Sequence, residues 1–278
     1  YPESSFGITL YDGTPDQKMT ITASPYEWLE ASFFYTNIQG KEYLSFNQSY
    51  KDKGFNFKLR LKEEGILPAI AVGINDIAGT GLYSSEYIVA SYGKGNLDMH
   101  LGLGWGALNG SDNKINNPLT YIHNSFKNRP ITGEGSYEDQ GGQFQPSRYF
   151  SNEKISPFYG VSYSINESIL LKAELDTTVT PGLIGYELAD SNFSLGFEYN
   201  INKNFTIGIS NERDTHFSLK FVYKRNPSTV KPYQYKKTIK REDQNKYGYL
   251  IQNLESNGIG VNRILESADS LGIEFTQF

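Results

Sequence analysis

The chain has no cysteine, and only three histidines, two methionines and two tryptophans among its 278 residues. Without cysteine there is no disulfide framework and no thiolate metal site. No two of His100, His123 and His216 stand at metal-ligand spacing. Positive charge is not in excess: 26 Lys and Arg face 31 Asp and Glu, and the net charge of −5 argues against a nucleic-acid partner. No apolar run approaches the roughly 18 residues a spanning helix needs, which excludes a helical membrane protein. There is no serine elbow, Walker loop or dinucleotide fingerprint. Glu174 and Asp176 share one strand face, as a glycosidase pair could. Same-face acids are also ordinary on a water-filled wall, so the expectation is a non-enzymatic chain without a cofactor. Sequons at Asn47, Asn109, Asn166 and Asn204 are chance matches in a chain rich in Asn and Ser. The chain starts at Tyr1 without Met and reads as mature or trimmed.

What is present is alternation. Between Asn192 and Lys224 there are three unbroken runs. Phe193, Leu195, Phe197, Tyr199 and Ile201 point one way, against Ser194, Gly196, Glu198 and Asn200. Phe205, Ile207 and Ile209 alternate with Thr206, Gly208 and Ser210, and Phe217, Leu219, Phe221 and Tyr223 with Ser218 and Lys220. Successive strand side chains go to opposite faces, so period two means one apolar and one polar face. Runs of about ten residues with short polar breaks match tilted strands crossing a bilayer as hairpins. Only 38% of residues are hydrophobic, yet there are 21 Tyr, 17 Phe and 27 Gly. A membrane barrel gives this combination, because half of each strand faces water and aromatics gather where lipid meets water. A two-sided soluble sheet could alternate too. The fold expected is therefore an all-β membrane protein, an antiparallel transmembrane barrel of about 12–14 strands over residues 1–224.

Along the chain, Phe6, Ile8 and Leu10 alternate first, then Met19, Ile21 and Ala23, then Leu29, Ala31, Phe33 and Tyr35, with a weaker run at 43–50. Phe55, Phe57, Leu59 and Leu61 leave Lys58, Arg60 and Lys62 together on the opposite face. These cations are either functional or a solvated ladder paired with carboxylates on the next strand. Glu86 lies in a mixed stretch at 82–92. Leu97, Met99, Leu101, Leu103 and Trp105 alternate with Asp98, His100, Gly102 and Gly104. The two glycines either let a ligand approach the wall or pack tightly against a lumen-filling segment. Tyr159 to Ile165 and Ile169 to Leu175 form a hairpin that carries Lys172 and Glu174 inward, and 183–190 reads as a shorter strand. The candidate lumen residues are thus Lys58, Arg60, Lys62, Glu86, Asp98 and His100, with Lys172 and Glu174.

Residues 107–154 break the pattern and are expected to be a long loop or a lumen plug. Residues 225–241 read as a basic linker. Residues 242–278 read as a small α/β domain: a helix over Glu242–Asn257 with Tyr247, Leu250, Ile251 and Leu254 on one face, then a hairpin around Ala268-Asp269. The terminal Phe278 after Phe275 resembles the aromatic end of many barrel chains, and in this tail it reads as hairpin packing. Counting 183–190 as a crossing, strand parity puts 107–154 and the tail after 225 at the same end.

Several strings carry a family resemblance. They are Gln48-Ser49-Tyr50-Lys51-Asp52-Lys53-Gly54-Phe55, Leu67-Pro68-Ala69-Ile70-Ala71-Val72-Gly73, Asp76, Gly79-Thr80-Gly81-Leu82, Ser85-Glu86-Tyr87 and Val89-Ala90-Ser91. Leu101-Gly102-Leu103-Gly104-Trp105-Gly106, Tyr149-Phe150 and Pro157-Phe158-Tyr159-Gly160 continue it. In this order and spacing the chain resembles the YjbH/GfcD-type exopolysaccharide (capsule) outer-membrane proteins, most densely over 48–106 and again near 149–176. The resemblance implies an outer-membrane barrel of a Gram-negative bacterium with a periplasmic C-terminal α/β appendage. It implies lipid, exopolysaccharide and other components of a secretion system as partners, and no catalytic residues. A periplasmic tail would then place 107–154 at the periplasmic end or inside the barrel. Family members are usually longer, so this chain reads as an N-terminal portion or a short member. The function expected is a path or docking site for the polymer, with acidic sugars drawn to the lumen cations. A plugged structural barrel that docks partners and a soluble carbohydrate-binding β protein are the alternatives.

Overall fold

The computed structural model describes residues 1, 3–14, 16–42, 48–130, 146–181, 186–187, 189, 191–224, 247–255, 259–267 and 270–277. The alternating runs become strands: β1 (Ser5–Gly13), β2 (Asp16–Tyr26), β3 (Leu29–Glu42), β4 (Ser49–Lys62), β5 (Ala69–Ile77), β6 (Ser85–Lys94) and β7 (Leu97–Gly106). After the two-residue β8 (Ile115–Asn116) come β9 (Lys154–Ser164) and β10 (Ile169–Leu175). Two more short strands, β11 (Thr180–Pro181) and β12 (Tyr186–Glu187), pair only with each other. β13 (Phe193–Asn200), β14 (Phe205–Glu212) and β15 (His216–Lys224) complete the set. Each long strand pairs antiparallel with the next, β10 pairs with β13, and β15 returns to pair with β1. Twelve strands therefore close into a barrel with no free edge, which is how backbone hydrogen bonds are satisfied in lipid.

The apolar parity faces outward. Phe6 is 44% exposed, Leu195 52% and Phe217 55%, and Phe57, Met99, Tyr159 and Ile209 join them in a belt around the wall. A water-soluble protein does not leave so large a continuous apolar surface uncovered. Hydrocarbon tails satisfy it, so the soluble sheet is set aside and the membrane barrel stands.

The strand order corrects the expected parity. Among the described residues of 183–190, β12 (186–187) pairs with β11 and with no strand of the barrel wall, so the wall has no crossing there. Five crossings, not six, then separate 107–153 from the end of β15. One mouth carries the connections 27–28, 63–68, 95–96, 165–168 and 201–204, and β15 ends there at Lys224. The other mouth carries 14–15, 43–48, 78–84, 107–153, 176–192 and 213–215. The long segment and the exit of β15 are at opposite ends. Gly95, at φ +64°, makes the tight 95–96 turn where a side chain would be strained.

The chain divides into two compact units, Tyr1–Val230 and Lys231–Phe278. The expected linker, 225–241, lies outside the described residues, as do 242–246 and 256–257 of the expected helix, the tail's turn at 268–269 and Phe278. In the second unit α1 (Gly248–Glu255) packs on β16 (Ile259–Glu266), which pairs with β17 (Leu271–Gln277). Leu250, Ile251 and Leu254 are half-buried and Tyr249 is exposed, as the helical spacing of the apolar residues requires.

Candidate functional site

The polar parity lines the lumen, where two cavities of about 300 and 250 Å³ share Tyr1, Thr9 and Tyr11. The larger is walled by β10, β13, β14 and β15 and holds Glu174, Asp176, Glu198 and Glu212 with Lys172 and Lys220. The smaller lies against β2–β6 and holds Lys18, Lys58 and Glu30 with Asn56, Asn75 and Tyr87.

Lys172 stands beside Gly196, and both Glu198 and Lys220 stand beside Gly208, where a Cβ would come to within 3.1 Å of Glu198. Glu198 Oε1 thereby accepts from Lys172 Nζ at 2.6 Å and Lys220 Nζ at 2.7 Å. Gly160 lies between His100 and Glu174 in the row across β7, β9 and β10, where the His100 ring and the Glu174 carboxylate come to 3.7 Å. A methyl at Gly160 would lie 2.6 Å from the imidazole. Asp176, the other member of the same-face acid pair, is turned to Arg213 at 3.3 Å and to the Thr178 backbone N–H. Glu174 and Asp176 thus have separate partners.

The remaining candidates scatter. Lys58 lines the smaller cavity and is directly opposite Glu30 on β3. Arg60 bonds Glu27 at 3.0 Å and Glu63 at 3.4 Å, both in turns at the short-turn mouth rather than on the next strand. Lys62 caps carbonyls of the 63–68 turn. Asp98 is exposed, beside Gly93 on β6.

Glu86 is a correction. It stands opposite Ile74 and Trp105, on the apolar face, whereas its neighbour Tyr87 lines the lumen. It is fully buried, because Arg129 binds both its oxygens, at 2.7 and 2.9 Å, and the Phe150 N–H adds a third bond. Trp105 has the expected parity but is 1% exposed under the Phe150 ring. The described parts of 107–153 therefore clamp the outer rim of β6 and β7 with a buried ion pair and an aromatic contact. Residues 131–145 lie outside the described residues.

The lumen at that mouth is instead entered by a short turn. Residues 78–84 fold inward over β4, β3 and β2. The Thr80 N–H reaches Asp52, Leu82 packs on Ile38 and Tyr50, and the Tyr83 ring lies against Phe34. Tyr83 Oη donates to Asp16 at 2.7 Å, and Asp16 also holds Thr36 Oγ1 at 2.6 Å and His216 Nε2 at 2.9 Å. Burial first, then the Asp16 charge, raises the Tyr83 phenol above its ordinary value and keeps it a donor. Two of the turn's residues, Ala78 and Gly81, have positive φ, as does Asp76 just before it. At the same mouth, Gly110 N–H reaches the Thr177 carbonyl and Thr177 Oγ1 that of Leu108, bringing 107–111 against 176–179. The narrow polar-face glycines serve packing: Gly102 receives the Phe158 ring and Gly104 receives Leu108. Tyr83→Phe removes one hydrogen bond to a buried carboxylate. It should lower stability in lipid vesicles by about 1.5–3 kcal/mol, read from the urea midpoint.

The sequence reading placed Glu198, Glu212 and Lys220 on no candidate list, although their parity with Lys172 and Glu174 was legible. The inward turn at 78–84 left no signal beyond its glycines.

Residues 1–278 match the family described as exopolysaccharide biosynthesis protein YbjH. Over 238 residues the chain is 32% identical to an uncharacterized lipoprotein, YjbH, of Escherichia coli (strain K12), covering 83% of this chain and 33% of that protein. The chain thus spans about a third of that relative's length. Among solved structures, the NanC porin aligns with 80% of this chain and 99% of its own, at 11% identity and a TM-score of 0.41. A mutant of the Rh. blastica porin aligns with 76% of this chain and 55% of its own, at 8% identity and a TM-score of 0.28. The barrel itself is established by its closed strand register.

Proposed function

The chain belongs to the YjbH exopolysaccharide biosynthesis family, and from that premise we propose that its barrel is a path or docking site for a polysaccharide in the outer membrane of a Gram-negative bacterium. The observation that carries this reading is the pairing of a lipid-facing belt with a lumen of Lys, Glu, Asn and Tyr side chains around cavities of 300 and 250 Å³. Hydroxyl-rich sugars bind through such convergent polar groups beside aromatic rings. The barrel binds rather than transforms: Lys58, His100, Lys172 and Glu174 line the path, and Arg60, Lys62 and Asp98 belong to its margins. Outer-membrane lipid and other components of the secretion system are its partners. Short turns usually face the periplasm. The mouth with 107–153 then faces outward, and the chain beyond Lys224 enters the periplasm with its helix-and-hairpin domain.

Currents through the purified chain in planar bilayers test the path. Discrete channel openings that a soluble oligosaccharide interrupts are expected, with larger openings in Tyr83→Ala, which loosens the inward turn. No current from either chain would overturn the path. The turn at 78–84 and the segment 107–111 narrow one mouth, and in that outcome they favour the docking role.

A further inference from the structure

Two carboxylates beside the 78–84 turn are each half satisfied. Asp52, on β4, is 1% exposed, and Asp76, on β5, is 3% exposed. Asp52 Oδ1 accepts from the Lys53 N–H at 2.7 Å and the Thr80 N–H at 3.2 Å. Asp76 Oδ2 accepts from the Tyr83 N–H at 3.1 Å. The other oxygen of each, Asp52 Oδ2 and Asp76 Oδ1, is buried and has no hydrogen-bond partner among the described residues. The Asp52 charge acts on Asp76, so the two acids share one pocket. The charges of Lys18 and Arg148 reach the pair, but neither side chain donates to a bare oxygen. The spot that Asp76 Oδ1 faces is rich in oxygen. A Cβ on Gly79 would lie 1.8 Å from that atom and 2.6 Å from the Lys53 carbonyl oxygen, and a Cβ on Gly54 would lie 2.5 Å from it. Two glycines thus let a carboxylate oxygen and a carbonyl oxygen crowd one point. Both are acceptors, and a buried carboxylate left without a partner is costly. A cation or a proton between them removes that cost.

We propose that Asp52 and Asp76, with the Lys53 carbonyl, hold a Ca²⁺ ion that fastens the inward turn to β4. The donors are all hard oxygens, which suit Ca²⁺ or Mg²⁺ rather than zinc or copper. An irregular set that includes a backbone carbonyl suits Ca²⁺, whereas Mg²⁺ demands octahedral geometry and keeps several waters, for which these buried oxygens leave little space. The described residues contain no group of three His, Cys, Asp or Glu able to hold a metal, so the site has two carboxylates and its affinity is modest. Turn and strand are already joined at the Thr80 N–H and the Tyr83 N–H. An ion on the two bare oxygens completes the same junction, and its presence does not depend on a polysaccharide in the lumen.

Equilibrium dialysis of the purified chain in detergent, first stripped with EDTA, against radiolabelled Ca²⁺ at neutral pH measures the site directly. One ion per chain should bind, with a Kd of about 10⁻⁴–10⁻³ M. Excess Mg²⁺ should displace it only weakly. Asp76→Asn should weaken binding by at least about tenfold, the loss that removing even an outer partner of a metal causes. Glu174→Gln, a lumen carboxylate outside the site, should bind Ca²⁺ as wild type does. Chymotrypsin cleavage at Leu82 and Tyr83 places the effect on the turn: Ca²⁺ at ten times its Kd should slow it by about tenfold in wild type and not in Asp76→Asn. The wild-type measurements stand even if the variant does not fold. No Ca²⁺ bound by wild type would overturn the proposal and leave a shared proton between the two acids. Binding that survives in Asp76→Asn, or cleavage that Ca²⁺ does not slow in wild type, would overturn it too.

Discussion

Phe197→Arg should cost about 2–4 kcal/mol of folding stability in lipid vesicles, because it sets a guanidinium at mid-strand against hydrocarbon. Gly196→Gln, one residue away, should cost less than about 1 kcal/mol. The contrast comes from strand parity. Phe197 is 38% exposed on the apolar belt, whereas Gly196 lines the larger lumen cavity. A Cβ at Gly196 would meet its nearest neighbours, Lys172 and Ser210, at 3.6 Å, an ordinary contact. Urea unfolding of the vesicle-inserted chains measures both. Equal costs would mean that the Phe197 face is not wetted by lipid, and the membrane barrel would be wrong with it.

Arg129→Met should be the most damaging single change in the rim segment, lowering stability by about 3–5 kcal/mol. It leaves Glu86, which has no exposed surface, with a buried charge and, among the described residues, only the Phe150 N–H to answer it. The freed carbonyls of Ser84 and Arg148 add to the cost. Glu86→Gln combined with Arg129→Met should recover much of the loss, since replacing both partners of a buried ion pair is far cheaper than removing one. Protease cleavage within the described parts, 107–130 and 146–153, reports the local effect: fast in the single variant, slow in wild type and intermediate in the double. Wild-type resistance in Arg129→Met would show that the ion pair does not hold the segment.

How much of this was readable beforehand depends on the range of the interaction. The lipid-facing Phe193, Leu195 and Phe197 followed from period two, as did the inward direction of Lys58, His100, Lys172 and Glu174. Glu86 did not follow, because 82–92 has no clean alternation and its partner is 43 residues away. The count of crossings failed on a similar point. Residues 183–190 have strand-like composition, but only pairing tells a crossing from a small ribbon, and β12 pairs with β11 alone.

From the residue order alone came the barrel, its two faces and the helix and hairpin of the tail, because each is written in neighbours two to four positions apart. Folding in three dimensions decided that 78–84 enters the lumen, that Arg129 and Phe150 are pinned to the outer rim, and that β15 ends at the far mouth. Tyr83 meets Asp16 across 67 positions and His216 meets Asp16 across 200. No local period encodes such meetings; they arise only when closure of the ring brings distant strands side by side.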